Sequence, residues 1–468
     1  MGLRYVSTRG TAQPLGFCDT TLAGLAPDGG LFVPDAYPAF DAGELDSLVG
    51  APFEAVAHAV LKRFTGGEIT DAELADDIAA AMATFSHVAR TPLVQMGPRD
   101  FLLELFHGPT LAFKDVAMQT IARLMDRILA MRGRRTTIIT ATSGDTGAAA
   151  ANAFKGRDNI DVFILYPHGR VSDVQRRQMT TIAADNLHTL AVKGDFDDCQ
   201  RIVKTLFVDR EFNARVGMSG VNSINWARVA AQISYFVFAA LALGGPQRRV
   251  AFTVPTGNFG DIYAGYVAAR MGLPIERLVI ATNQNDILDR VARSGAYEPG
   301  TVAPSTSPSM DIQVSSNFER LVFDLSGRDA PSIAERLGAV AKGGFRLSNA
   351  EMAGLTALFA SGRADDEATR IEIGRTYADT GMVVDPHTAV GLSVARAVEL
   401  PPHIPMVTLS TAHPAKFPDA VEAGCGIRPA VPARLEAVLE GDERATPVPA
   451  DAAAVAEIVL QRSRAVPA

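Results

Sequence analysis

From about residue 96 onward, continuous apolar runs of four to six residues alternate with stretches in which apolar positions recur at helical spacing. The runs Phe101–Leu105, Thr136–Thr140, Asp161–Tyr166, Leu187–Val192, Val250–Val254, Leu278–Ala281 and Pro405–Leu409 read as strands. Several are apolar throughout rather than alternating, as expected of parallel strands covered on both faces. Between them the period predicts helices over Val116–Arg132, Gly147–Phe154, Asp173–Met179, Phe196–Val208, Ala227–Leu243 and Gly260–Met271. Such alternation predicts an α/β architecture with crossover connections. Two blocks of it meet near residue 245, which suggests two open, mostly parallel sheets, helices on both faces, and a ligand crevice between them.

The flanks have a different texture. Glu54–Phe64 and Asp71–Ala83 show helical periodicity, and a turn-rich stretch, Pro27–Pro34, precedes them. The expected organisation is an N-terminal domain over 1–95, a first α/β domain over 96–245, a second over 246–430, and a helical tail over 431–468 with an amphipathic helix at Ala450–Arg462. The segment Thr301–Asp311 has the composition of a flexible loop. There is no internal repeat or low-complexity region.

A length of 468 residues suits two or three domains. The formal net charge of −8 argues against a partner held through phosphate backbones, and no basic patch dominates. Cys18, Cys199 and Cys425 are far apart, odd in number and without metal-ligand spacing, which fits a reducing compartment and predicts no metal. Met1–Gly10 lacks the apolar core of a signal peptide. The longest apolar run, Val229–Leu243, includes Gln232 and Ser234 and falls short of the roughly 20 residues a spanning helix needs. These features predict a cytoplasmic protein with neither a membrane nor a nucleic-acid partner.

Candidate chemistry lies where predicted strands end and helices begin, the rim at which open α/β sheets bind ligands. In Phe106–Asp115, Lys114 is one of seven lysines in the chain and sits among apolar neighbours. Burial depresses the pKa of an amine, which can then form a Schiff base with an aldehyde cofactor and shuttle protons. The alternative is a lysine packed on Phe113 with its head at Asp115 or in water. The hydroxyl- and glycine-rich loop Thr140–Gly147 would expose N–H groups at the positive end of a helix, an anion site, or else only cap that helix. Pro255–Asp261, with Gly257 and Gly260, could wrap a phosphate or simply turn from strand to helix, and no Gly-Lys-Ser/Thr follows it. In Asn222–Arg228 an arginine occupies a first helical turn, unfavourable with the helix dipole unless an anion is near. Leu409–Phe417 places hydroxyls, His413 and Lys416 at a further rim, and His387 lies at a helix start; surface roles are open for these. One lysine and three anion-friendly loops at one crevice suit a phosphorylated aldehyde cofactor and a charged amino-acid substrate.

These segments resemble threonine synthases, fold-type II pyridoxal-phosphate enzymes, over nearly the whole chain. YVSTRG and DGGLFVP resemble the N-terminal domain of the longer bacterial and fungal type. HGPTLAFKD, TSGDTG, NSINWAR, PTGNFGD and LSTAHPAKF are similar to family motifs and occur in the same order. The resemblance implies a lyase of threonine biosynthesis that converts O-phospho-L-homoserine and water to L-threonine and phosphate. It makes Lys114 the catalytic, cofactor-carrying lysine. Asp145 falls near the cofactor's phenolic oxygen, where it would have to be protonated or share a proton. Gly257, Asn258, Phe259, Gly260 and Asp261 would cup the cofactor phosphate, and Thr411 would meet the pyridine nitrogen. Thr142, Ser143 and Thr146 would hold the substrate carboxylate. Asn222, Ser223 and Arg228 would hold its phosphate, with Lys155 and Lys416 as cationic helpers. A monomer or homodimer is expected. The competing reading is another fold-type II lyase or dehydratase acting on a phosphorylated or hydroxy amino acid.

Overall fold

The computed structural model of the protein describes residues 2–466. All seven predicted strands form, and they divide between two open sheets. One sheet has the order Thr446–Pro449, Leu187–Lys193, Ile160–Pro167, Thr136–Ala141, Met218–Ser219, with every neighbouring pair parallel. The other has the order Phe359–Arg363, Ile275–Thr282, Val250–Pro255, Met406–Ser410, Asp100–Glu104, Leu93–Gln95, parallel except for its last, antiparallel edge strand. The continuous apolar runs earn their parallel reading: every residue of Ile160–Pro167 is buried, as is every residue of Val250–Pro255. Phe163, fully buried, contributes about 1.5–3 kcal/mol of hydrophobic stabilisation relative to an exposed ring.

Two sequence expectations change. The strand Asp100–Glu104, placed by the boundary at residue 95 with the first block, joins the second sheet, in register with Met406–Ser410. The tail expected to be helical contributes the edge strand Thr446–Pro449 to the first sheet, paired with Leu190–Lys193. Both pairings join segments more than 200 residues apart, so no local periodicity could assign them. The helices Phe318–Leu325, Ala330–Val340, Asn349–Leu358, Asp366–Thr380 and Pro386–Arg396 lie outside the predicted elements. The edge strand Phe359–Arg363 does too, because a run with Gly362 and Arg363 and only one fully buried side chain carries little apolar signal.

The N-terminal region has an antiparallel pair, Tyr5–Ser7 with Phe32–Pro34, and the helices Phe53–Thr65 and Asp71–Met82. It shares one continuous core with both sheets. Trp226, at the start of the helix Trp226–Ala242, packs its indole against Tyr5 at 5.9 Å and Phe64 at 5.6 Å between ring centroids. Arg320, fully buried, donates to the carbonyls of Phe32 and Ile224. That ties the N-terminal strands to the segment that precedes Arg228.

Candidate active site

The loops that follow Glu104, Ala141, Ser219, Pro255 and Ser410 all leave the carboxyl ends of parallel strands, where dipoles and exposed N–H groups collect. Lys114 is the first residue of the helix Lys114–Met131, and its side chain is 12% exposed. The loop before it bends sharply: Leu111 has φ 59°, a left-handed conformation that is costly for a bulky residue and is held by its surroundings. The Phe113 N–H donates to the Thr411 carbonyl at 2.8 Å and the His413 N–H to the Leu111 carbonyl at 3.0 Å. Lys114 and Thr411 therefore share one ledge.

The lysine does not face Asp115. That carboxylate turns back to accept from the Thr110 N–H at 2.7 Å and hydroxyl at 2.8 Å, and burial pushes it up to about 6. The Lys114 amine instead lies 3.5 Å from Asp145 and 3.3 Å from the Ser309 hydroxyl. Burial lowers its pKa, and the positive charges of Lys416 and Arg228 add to this against the pull of Asp145.

Asp145 opens the helix Asp145–Phe154, behind Gly144 at φ 148°. A side chain at Gly144 would collide with Gln175, which donates to Asp145 at 2.9 Å. Lys416, with no exposed side-chain surface, is 2.6 Å from Asp145 and donates to the Thr110 carbonyl at 3.0 Å. Burial alone would raise the Asp145 pKa, but the two ammonium groups outweigh it and hold the carboxyl well below the usual carboxylate range. Asp145 therefore stands between two lysine ammonium groups, which favour its ionised form. The Lys416 ammonium is thus engaged with Asp145 and the Thr110 carbonyl. Lys155 is exposed at the far end of the same helix, ten residues or roughly 15 Å from Asp145, and takes no part.

The Thr142 hydroxyl accepts from the N–H groups of Gly144 and Gly147, both at 2.9 Å, so it shapes the loop from within. Ser143 and Thr146 flank that turn. The second anion-friendly loop is drawn taut from behind. Ser315 donates to the Gly257 carbonyl at 2.7 Å, and the Asn317 N–H and amide donate to the Asn258 carbonyl at 3.0 Å. With the carbonyls turned that way, the N–H groups of Gly257, Asn258, Phe259 and Gly260 have no protein acceptor among the described residues. Phe259 enters the helix Gly260–Arg270 at φ 62°. Such a row of free donors at a helix N-terminus fits a phosphate. The Asp261 carboxyl accepts from the buried Tyr235 hydroxyl, and burial pushes it up to about 7.

Asn222 and Ser223 join the two loops. The Asn222 side chain accepts from Thr140 at 3.1 Å, and the Ser223 carbonyl accepts from Asn317 at 3.1 Å. Arg228 is 3% exposed; it donates to the Val221 carbonyl at 3.2 Å, while its Nε has no partner among the described residues. Burial pushes its pKa down to about 10. A buried guanidinium donor without an acceptor is costly unless an anion reaches it.

Ser309, Gln175, Asp385 and His387 complete the surroundings. The loop Thr301–Asp311 is not left free: Asn283 donates to Ser305 and Asp311, both at 2.8 Å, Asn285 donates to the Ala303 carbonyl at 2.8 Å, and Thr306 bonds Asp366. His413 is a local cap that accepts from the Ala415 N–H at 3.1 Å. Among the described residues no group of three or more His, Cys, Asp or Glu could hold a metal ion, and no helix is long and apolar enough to cross a membrane. The donor set fits pyridoxal phosphate: an amine of lowered pKa, a free-donor cup for its phosphate, and a threonine hydroxyl on the same ledge.

Comparison with known proteins agrees with this geometry. Residues 4–82 match the family described as threonine synthase N terminus, 84–411 that of pyridoxal-phosphate dependent enzymes, and 388–459 that of threonine synthase, C-terminal. The chain is 51% identical over 461 residues to threonine synthase of Pseudomonas aeruginosa, covering 98% of each. It is 42% identical to that of Saccharomyces cerevisiae, covering 89% of this chain and 88% of the other. Among solved structures, pyridoxal-phosphate-bound threonine synthase from Brucella melitensis superposes with TM-score 0.96 at 54% identity, covering 99% of this chain and 100% of that one. Threonine synthase from Escherichia coli superposes with TM-score 0.83 at 33% identity, covering 98% and 99%. The chain belongs to the threonine synthase family of pyridoxal-phosphate-dependent enzymes.

Proposed function

We propose that this protein converts O-phospho-L-homoserine and water to L-threonine and phosphate, with pyridoxal phosphate carried on Lys114. The observation that carries the reading is the pair of anion sites flanking one buried lysine: the free N–H row of 257–260 and the unpartnered Nε of Arg228. When bound, the cofactor supplies an electron sink that lets a β proton and then the γ-phosphate leave. The Lys114 amine, kept neutral more readily by burial, takes and returns protons at the substrate carbons. Thr142, Ser143 and Thr146 orient the substrate carboxylate at the start of the helix Asp145–Phe154. Asp145 stays ionised beside Lys114 and fixes the direction in which its amine points. Gly257, Asn258, Phe259, Gly260 and Asp261 would cup the cofactor phosphate through their backbone N–H groups. Thr411 offers a hydroxyl, not a carboxylate, to the pyridine nitrogen. Asn222, Ser223 and Arg228 receive the substrate phosphate.

The balance of buried charge supports this assignment. Lys416 is paired with Asp145, whereas Arg228 has no carboxylate within ion-pair distance among the described residues, which suits a phosphate group. The acidic net charge of −8 supports a small-molecule partner in preference to nucleic acid, and the reading places the chain in the cytoplasm as a monomer or homodimer. The reaction is tested by assaying phosphate release and threonine formation from O-phospho-L-homoserine. Turnover of serine or threonine to a keto acid, with none of O-phospho-L-homoserine, would instead identify a dehydratase.

The phosphate assignment has its own test. Arg228→Ala should weaken transition-state and substrate binding by about 2–5 kcal/mol, seen chiefly as a raised KM for O-phospho-L-homoserine. An unchanged KM would place the substrate phosphate elsewhere.

A further inference from the structure

Ser309 is 195 residues from Lys114 in sequence, in the short turn Pro308–Met310, yet its hydroxyl stands between the two charged groups of the site. It lies 3.3 Å from the Lys114 amine and 3.4 Å from Asp145 Oδ2. An ionised carboxylate can only accept, so the single hydroxyl proton goes to Asp145 and a lone pair is left facing the amine. The same turn lies on the phosphate loop: a Cβ on Gly257 would come within 2.6 Å of the Ser309 carbonyl.

What holds the turn is a buried histidine. The Ser309 N–H donates to His387 Nε2 at 3.2 Å. A ring nitrogen that accepts carries no proton, so the proton of the neutral ring is on Nδ1 and is donated to Asp385 at 2.7 Å. Asp385, fully buried, also accepts from the N–H groups of His387 at 3.0 Å and Thr388 at 3.1 Å. The carboxylate thus fixes both the tautomer and the ring, and Phe417 closes against the ring edge at 4.9 Å between centroids. On its other side the loop is anchored by Asn283 to Ser307 and Asp311.

We propose that Ser309 is a positioning residue for Lys114, its hydroxyl bridging the amine to Asp145, and that the Asp385–His387 pair acts through the Ser309 N–H to keep the hydroxyl there. This deepens the reading of Lys114 as the cofactor lysine and rests on it. The test uses full-length protein freed of cofactor and then given pyridoxal phosphate. Two quantities are followed: the rate at which borohydride fixes the cofactor on Lys114, and kcat with KM for O-phospho-L-homoserine. Ser309→Ala should slow fixation and lower kcat by about tenfold each, the effect of one lost hydrogen bond to a charged group, with KM changed less than about twofold. Ser309→Thr should restore both, and His387→Phe should reproduce the alanine phenotype. Should His387→Phe not fold, the two Ser309 variants decide alone. Wild-type fixation rate and kcat in Ser309→Ala would overturn the proposal, as would a defect that threonine fails to rescue. Wild-type protein that takes up no cofactor on Lys114 would defeat the underlying reading instead.

Discussion

Lys114→Ala should lower turnover of O-phospho-L-homoserine by at least about a thousandfold, the scale of losing a covalent attachment point and a general base together. Borohydride should then fix no cofactor at residue 114, although the cup at 257–260 and Thr411 remain to bind it non-covalently. The fold should be little affected, because Lys114 is the opening residue of its helix and Asp145 keeps Lys416 at 2.6 Å. Cofactor fixed on another lysine in the wild-type protein would refute the assignment. Lys416 is the instructive control. It is as close to the site as Lys114 but wholly buried and already paired, and it should not be labelled.

Lys416→Met should be the costliest change to stability. It removes one partner of a buried ion pair and leaves Asp145 with the more distant Lys114 at 3.5 Å and the amide of Gln175. The cost of such an uncompensated buried charge is about 3–5 kcal/mol, and Gln175 and Lys114 should keep it near the lower end. Denaturant unfolding of the two proteins measures it. The effect has a defined pH dependence. The folded Asp145 carboxyl is held below its unfolded value of roughly 3.9, so its contribution is complete above that pH and is lost as pH falls below it toward the folded value. The stability difference between wild type and Lys416→Met should therefore be constant from neutral pH down to about 5 and shrink below about 4. A difference that grew on acidification would mean that Asp145 is not the anion Lys416 neutralises.

Much of the site was legible because its motifs are local. TSGDTG and PTGNFGD each join a strand end to a helix start, and a turn with small residues there is anion-binding for reasons of backbone geometry alone. Arg228 stood out for the same local reason, a cation in a first helical turn, and its unpartnered Nε keeps that anomaly alive in three dimensions. The ion pair of Asp145 was not legible because its partner, Lys416, lies 271 residues away. Nothing near Lys416 in the chain announces an acid, and Lys155, near Asp145 in sequence, is carried away by one helix length. Ser309 had no signal at all: a serine in a serine-rich loop resembles any other until the loop is folded over Lys114.

The sequence by itself determined the parallel α/β class, since strands buried on both faces must be apolar throughout, and the positions of the loops that carry chemistry. Through its ordered motifs it also indicated the family and the lysine. Only the tertiary structure decided which sheet each distant strand joined, that the tail closes the first sheet, and that Lys114 turns to Asp145 and not to Asp115. Those outcomes are set by long-range pairing and burial: a hydrogen-bond register or an ion pair between segments hundreds of residues apart leaves no periodic trace in either segment. The same physics separates the two lysines. Lys416 is held in close contact with Asp145, and Lys114, set a little farther off and with its pKa lowered by burial, is left free to react.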